Sequence, residues 1–189
     1  MRTDEREDLL SSLQLVRVSA RECRNDVQFW KWMLVGSHSS LQAAIVFHLS
    51  FGNDLLVAKP AHAKKWLEAH RSGGDYPDMH MDFFLDLYEK AKSHEVLGFR
   101  LITEVAQDES VKRLLELRND FVHFMPKGWS IELAMLPGVC LHSLEVVAAI
   151  AQGPIQMRWE TDAQAARFES VLAECRNLLR AFQADYDAV

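Results

Sequence analysis

Apolar and polar positions along this chain repeat every three to four residues almost throughout, the spacing of helices rather than strands. Over residues 4–22, Leu9, Leu10, Leu13, Val16 and Ala20 share one face. Acidic residues crowd the start of that segment and Arg17 and Arg21 lie near its end, the polarity that complements a helix dipole. Asn25 predicts the cap of a second, long helix reaching about Phe51. That segment is apolar almost all round, with Phe29, Trp30, Trp32, Met33, Leu34, Leu41, Ile45, Val46 and Phe47, which predicts a central, buried helix. Gly36, Ser37, Ser40, Ala43 and Ala44 are small enough to let a neighbouring helix come close.

Pro60 predicts the opening of a third helix through His70, closed by Ser72-Gly73-Gly74. Residues 79–93 predict a fourth, with Phe83, Phe84, Leu87 and Tyr88 turned inward, and residues 94–107 carry no clear period. Asp108 predicts the cap of a fifth helix, from Glu109 to about Phe124, which Pro126 must stop, with a turn at Lys127-Gly128. Residues 129–136 read as extended or irregular. Pro137 opens a sixth helix to Gln152, and Gly153-Pro154 breaks the chain. Thr161 or Asp162 caps a last helix to about Tyr186, with Phe168, Val171, Leu172, Leu178, Leu179 and Phe182 on its core face. A short hairpin near 129–136 or 154–159 is compatible with the pattern. The expected fold is therefore all-α: one single-domain bundle of about six to seven helices. Its core would be 25–150, with helices 4–22 and 162–186 packed on it.

Composition narrows this further. The 189 residues suit one domain, and an apolar fraction of 49% with 25% charged residues is enough for a sizeable core. Five prolines and eight glycines leave few sharp turns, which disfavours a many-stranded sheet. A net charge of −6 argues against broad, non-specific binding of nucleic acid, though not against a small local site. Cys23, Cys140 and Cys175 are odd in number and form no CxxC pair, so reduced, buried thiols are expected. The charged N-terminus lacks the apolar core of a secretory signal, and no apolar run approaches the roughly 20 residues of a membrane span. A cytoplasmic protein without membrane attachment is the expectation.

Candidate chemistry concentrates on the fifth helix. Its C-terminal half, Leu117-Arg118-Asn119-Asp120-Phe121-Val122-His123-Phe124, is unusually polar for a segment that also carries Phe121, Val122 and Phe124. Asn119 and His123 are four apart and share a face; Arg118 lies roughly 140° round the helix from His123. Cutting an RNA phosphodiester needs a base for the 2′-hydroxyl proton, an acid for the leaving oxygen and a cation on the phosphate. A histidine suits the proton transfers and an arginine suits the phosphoryl oxygens, with no metal required. An adjacent Asn can fix a tautomer or hold a phosphate oxygen. The spacing by itself is weak, because a helix-end histidine stabilised by the dipole and a surface arginine paired with an acid would give the same pattern.

On the second helix, Lys31, His38 and Gln42 make a polar stripe on an otherwise apolar rod. We take as a hypothesis that it lines the same cleft as Arg118 and His123; an exposed polar edge is the plain alternative. The eight histidines show no HExxH or other tight ligand spacing, so no metal site is expected. Gly73-Gly74 lacks the pattern of a phosphate loop, and no cofactor is expected. Of the five tryptophans, Trp129 is the binding candidate, because it follows the turn after the motif.

The run from Leu117 to Phe124, followed by Pro126-Lys127-Gly128-Trp129-Ser130-Ile131-Glu132 and Leu136-Pro137, resembles the signature segment of bacterial HEPN (higher eukaryotes and prokaryotes nucleotide-binding) domains. The hallmark of that family is Arg, a polar residue, then His within four to six positions, and Arg118, Asn119 and His123 match it. Phe29-Trp30-Lys31-Trp32 with Ser37-His38-Ser39-Ser40-Leu41-Gln42 resembles the long central helix of uncharacterised members, so the likeness spans most of 25–150. The resemblance implies a helical bundle that pairs as a homodimer with both motif helices facing a cleft. In active members that cleft is a metal-independent endoribonuclease, found in toxin–antitoxin and defence systems. It would make His123 acid or base, Arg118 the phosphate stabiliser, Asn119 the orienter and Asp120 a supporting carboxylate. The extra N- and C-terminal helices depart from the best-known toxin layout. The competing expectation is a non-catalytic helical dimer that binds a protein partner or a nucleotide.

Overall fold

The computed structural model describes residues 4–123, 128–153 and 159–188. Among them are seven α-helices and no strand. The first, α1 (Glu5–Glu22), starts where Asp4 accepts hydrogen bonds from the backbone N–H groups of Arg6 and Glu7, both at 3.0 Å. Leu9, Leu10, Leu13, Val16 and Ala20 are buried, as their period requires. A short 3-10 turn, Val27–Phe29, leads into α2 (Trp30–Leu49). Asp26, not Asn25, caps that turn through its side chain, and α2 ends two residues before Phe51. The twenty residues of α2, about 30 Å of helix, meet α1, α4, α5 and α6, so it is the axis of the bundle.

Close approach of α1 to α2 depends on Gly36. A Cβ there would lie 3.0 Å from a Val16 methyl and 3.1 Å from the Ser12 carbonyl oxygen. The other central rod is α6 (Leu136–Ala151), buried along nearly its whole length and packed on α2, α5 and α7. The last helix, α7 (Asp162–Asp187), is capped by Thr161 and lies on α1 and α6. Trp30 of α2 meets Phe182 of α7 edge to face at 5.3 Å. The result is an all-α, single-domain bundle with one continuous core. Among the described residues no helix is long and apolar enough to cross a membrane. Cys23, Cys140 and Cys175 are free and buried, and burial pushes each thiol up to about 12.

Several boundaries differ from the sequence reading. The third helix, α3 (Pro60–Ser72), closes on Gly73 in the left-handed conformation (φ 67°) and has no buried residue at all. The fourth, α4 (Phe84–Ser93), begins at Phe84 rather than near residue 79. Residues before it are extended: Met81 bridges Ala58, with Lys59 N–H donating to the His80 carbonyl and Asp82 N–H to the Val57 carbonyl, both at 2.9 Å. Phe83, expected inward, is 68% exposed for that reason, whereas Phe84, Leu87 and Tyr88 are buried. The ammonium of Lys90 holds this crossing from inside, 2.7 Å from the Asp82 carboxylate and donating to the carbonyls of Leu56 and Ala58.

The motif helix, α5 (Val105–Val122), starts four residues before Glu109, where the sequence placed its beginning behind an Asp108 cap. Glu104 and Gln107 form a reciprocal capping box, which leaves Asp108 free for another task. Its carboxylate accepts from Tyr88 (2.7 Å), Lys92 (2.7 Å) and Thr103 (2.8 Å), locking α4 to the start of α5. No strand pairing occurs among the described residues of 128–136, so the hairpin considered there is absent. The stop at Pro126, the turn at Lys127, the end of the fifth helix at Phe124, the break at Pro154 and most of the alternative hairpin at 154–159 lie outside the described residues.

Candidate functional site

The last turns of α5 are fixed by a core stripe of Val111, Leu114 and Leu117, with Phe121 partly buried against the same core. That stripe leaves Arg118 and Asn119 half-buried on its flank, and Asp120, Val122 and His123 exposed. Arg118 Nη1 donates to Asn119 Oδ1 at 2.9 Å. The Asn119 backbone carbonyl in turn accepts from the His123 N–H at 2.8 Å, and His123 is the C-cap, leaving helical geometry with φ −106° and ψ 44°. Asn119 therefore touches both of its motif partners, one through its side chain and one through its backbone. Asp120 makes no side-chain hydrogen bond to either among the described residues.

Arg118 has no carboxylate within ion-pair distance among the described residues, so the surface ion pair that would have explained it structurally is not there. Its charge is felt instead by His38. That imidazole is 3% exposed, tilted against the Phe84 ring at 4.3 Å, and its Nε2 has no hydrogen-bond partner among the described residues. Burial, and then the neighbouring Arg118 charge, lower the His38 pKa to about 4, so it is neutral at physiological pH. Arg118 and His38 thus share one region where α5 meets α2.

The polar stripe of α2 is divided by the packing. His38 is inside, beneath α4. Gln42 is half-buried and makes no side-chain hydrogen bond among the described residues. Lys31 lies at the other end of α2, in a cavity of about 310 Å³ that it lines together with Trp129, Phe121 and Leu136. Trp129 is half-buried and meets Phe121 edge to face at 4.8 Å. The packing therefore brings together Arg118, Asn119 and His38 in one place, and Lys31 with Trp129 in another.

Two features escaped the sequence reading. The carboxylate network on Asp108 joins residues on separate elements, so no local spacing reports it. The cavity is built from three segments, and the alternation of Ile131 and Leu133 after Trp129 was its only local trace. No group of three or more His, Cys, Asp or Glu side chains is gathered as a metal would need among the described residues. His62 and His80 face each other at 4.6 Å, and Trp66, His70 and Tyr76 stack together, all on the outlying α3 and the segment after it. No protein-family model matches the chain, and neither the curated proteins nor the solved structures yield a match.

Proposed function

We propose that this chain is a metal-independent endoribonuclease of HEPN type that works as a homodimer, with its site at the end of α5. The observation that supports this reading most is the state of Arg118. It is half-buried, held by Asn119, unneutralised by any carboxylate among the described residues, and set five positions before an exposed histidine. A partly desolvated guanidinium without a counter-charge is suited to a phosphoryl group, which it can clamp with two parallel N–H donors.

His123 supplies the proton chemistry. As base it takes the proton of a ribose 2′-hydroxyl; the 2′-oxygen then bonds to phosphorus and the bond from phosphorus to the 5′-oxygen breaks. The leaving oxygen needs a proton, which the equivalent histidine of a second copy would give across a two-fold axis. The products are a 2′,3′-cyclic phosphate and a 5′-hydroxyl. Arg118 stabilises the charge that builds on the non-bridging oxygens, and Asn119 keeps the guanidinium aimed.

Incubation of the purified chain with a generic single-stranded RNA in excess EDTA tests this directly. The expected result is cleavage to those two end groups by a species that sizes as a dimer. Arg118→Ala and His123→Ala should each lose about 100-fold or more in rate. Asn119→Ala should lose less, since it acts through Arg118. Intact RNA with the wild-type chain, or cleavage unchanged in His123→Ala, would overturn the reading.

A further inference from the structure

The junction of α2, the end of α5 and the start of α6 encloses the cavity of about 310 Å³ noted above, at the small end of the range for small-molecule sites. Its walls are mostly apolar, with Phe121, Trp129, Ile131 and Leu133 offering flat or branched surface. Its polar side chains are those of Gln28, Trp30 and Lys31, and no acidic residue lines it among the described residues. Lys31 stands on one side with Gln28; its ammonium rests 4.9 Å from the Trp32 ring centroid and no described carboxylate pairs with it. Trp30 is 2% exposed and its indole N–H has no acceptor among the described residues. Leu136, also on the wall, is the first residue of α6, whose first turn carries neither an acid nor a capping side chain. That helix start offers little to an anion, since the Leu136 N–H already donates to the Leu133 carbonyl at 3.0 Å and Pro137 has no N–H.

We propose that this cavity is a binding site for a small aromatic carboxylate. The ring would lie against Trp129 and Phe121, and the carboxylate would be held by Lys31. A single charge is favoured over a phosphate dianion, because one lysine and apolar walls supply too few donors for three phosphoryl oxygens. The site does not rest on the ribonuclease reading, since Arg118, Asn119 and His123 are not among its lining residues.

Calorimetric titration of the full-length chain with 2-naphthoate, and with the neutral 2-naphthalenemethanol as a control, decides it. Saturable binding of the naphthoate with a Kd below about 1 mM is expected, and binding of the alcohol about tenfold weaker. Lys31→Met, a surface change that leaves the core intact, should bring the naphthoate to the level of the alcohol and leave the alcohol unchanged. Ile131→Trp should fill the space and abolish both, with the melting curve showing a folded chain. Absence of saturable binding, equal affinities for acid and alcohol, or a Lys31→Met variant that binds naphthoate as well as the wild type would each overturn the proposal. Because no RNA enters the assay, its outcome is separate from that of the cleavage test.

Discussion

His38 shows how one side chain can link the candidate site to the stability of the molecule. Its folded pKa, about 4, lies below the roughly 6.5 of a solvated imidazole. Between those values the unfolded chain binds the extra proton, so stability is full above about pH 6.5 and drains as the pH falls toward 4. The slope from one such group is up to about 1.4 kcal/mol per pH unit. His48, lowered by burial, adds in the same direction, whereas Asp82 and Asp108, held low by Lys90 and Lys92, lose their contributions only at still lower pH. His38→Gln should therefore flatten the decline between pH 6.5 and 4. Urea unfolding at pH 7, 6 and 5 measures this, and an unchanged slope in the variant would refute the assignment of the effect to His38. Part of this residue-level picture was legible in the sequence: Arg118, Asn119 and His123 are local neighbours on a helix, and helical geometry fixes their relation. The burial of His38 was not, because the ring that covers it, Phe84, comes from another element.

At the scale of the elements, helix interiors were easy to read and helix ends were not. The apolar period that buries Leu9, Leu13 and Val16 is a property of the segment itself, as is the all-round apolarity that makes α2 central. Ends depend on which of several polar residues wins the cap. Asp108 has the right side chain for a cap, yet the tertiary pull of Tyr88, Lys92 and Thr103 takes it, and Glu104 with Gln107 caps in its place. Residues 79–83 have a helix-like composition, but pairing of Met81 with Ala58 holds them extended. The small residues of α2, by contrast, carry a clear signal. Gly36→Ala should destabilise by about 1–3 kcal/mol, because the new methyl meets the α1 backbone at Ser12 and Val16. That cost outweighs the gain of up to about 1 kcal/mol in helix propensity. Thermal melts of the two proteins compare these terms directly, and a higher melting temperature for the variant would show that propensity dominates and α1 yields.

Across the whole molecule, protection is uneven. Core side chains come from α1, α2, α4, α5, α6 and α7, while α3 buries none. Local opening should follow that division, since few buried contacts oppose it at α3. Amide hydrogen exchange is expected to be fast along Pro60–Ser72 and slowest in α2 and α6; comparable protection in α3 would contradict this account of where the stability lies. The candidate site belongs to the well-packed part: Arg118 and Asn119 ride on a helix whose core stripe is buried, and α6 opens at the cavity wall. The cavity itself could not be read from one sequence, because Lys31, Phe121, Trp129 and Leu136 meet only after three elements have packed.

The crossing of residues 57–59 with 80–82 makes the whole excursion between them a closed detour. Backbone hydrogen bonds at 2.9 Å pin its entrance beside its exit, and the Lys90 ammonium secures both from beneath. A few turn residues could span that gap in place of α3 without moving any residue of the bundle. The chain thus carries a ready point for excision or for grafting a foreign peptide.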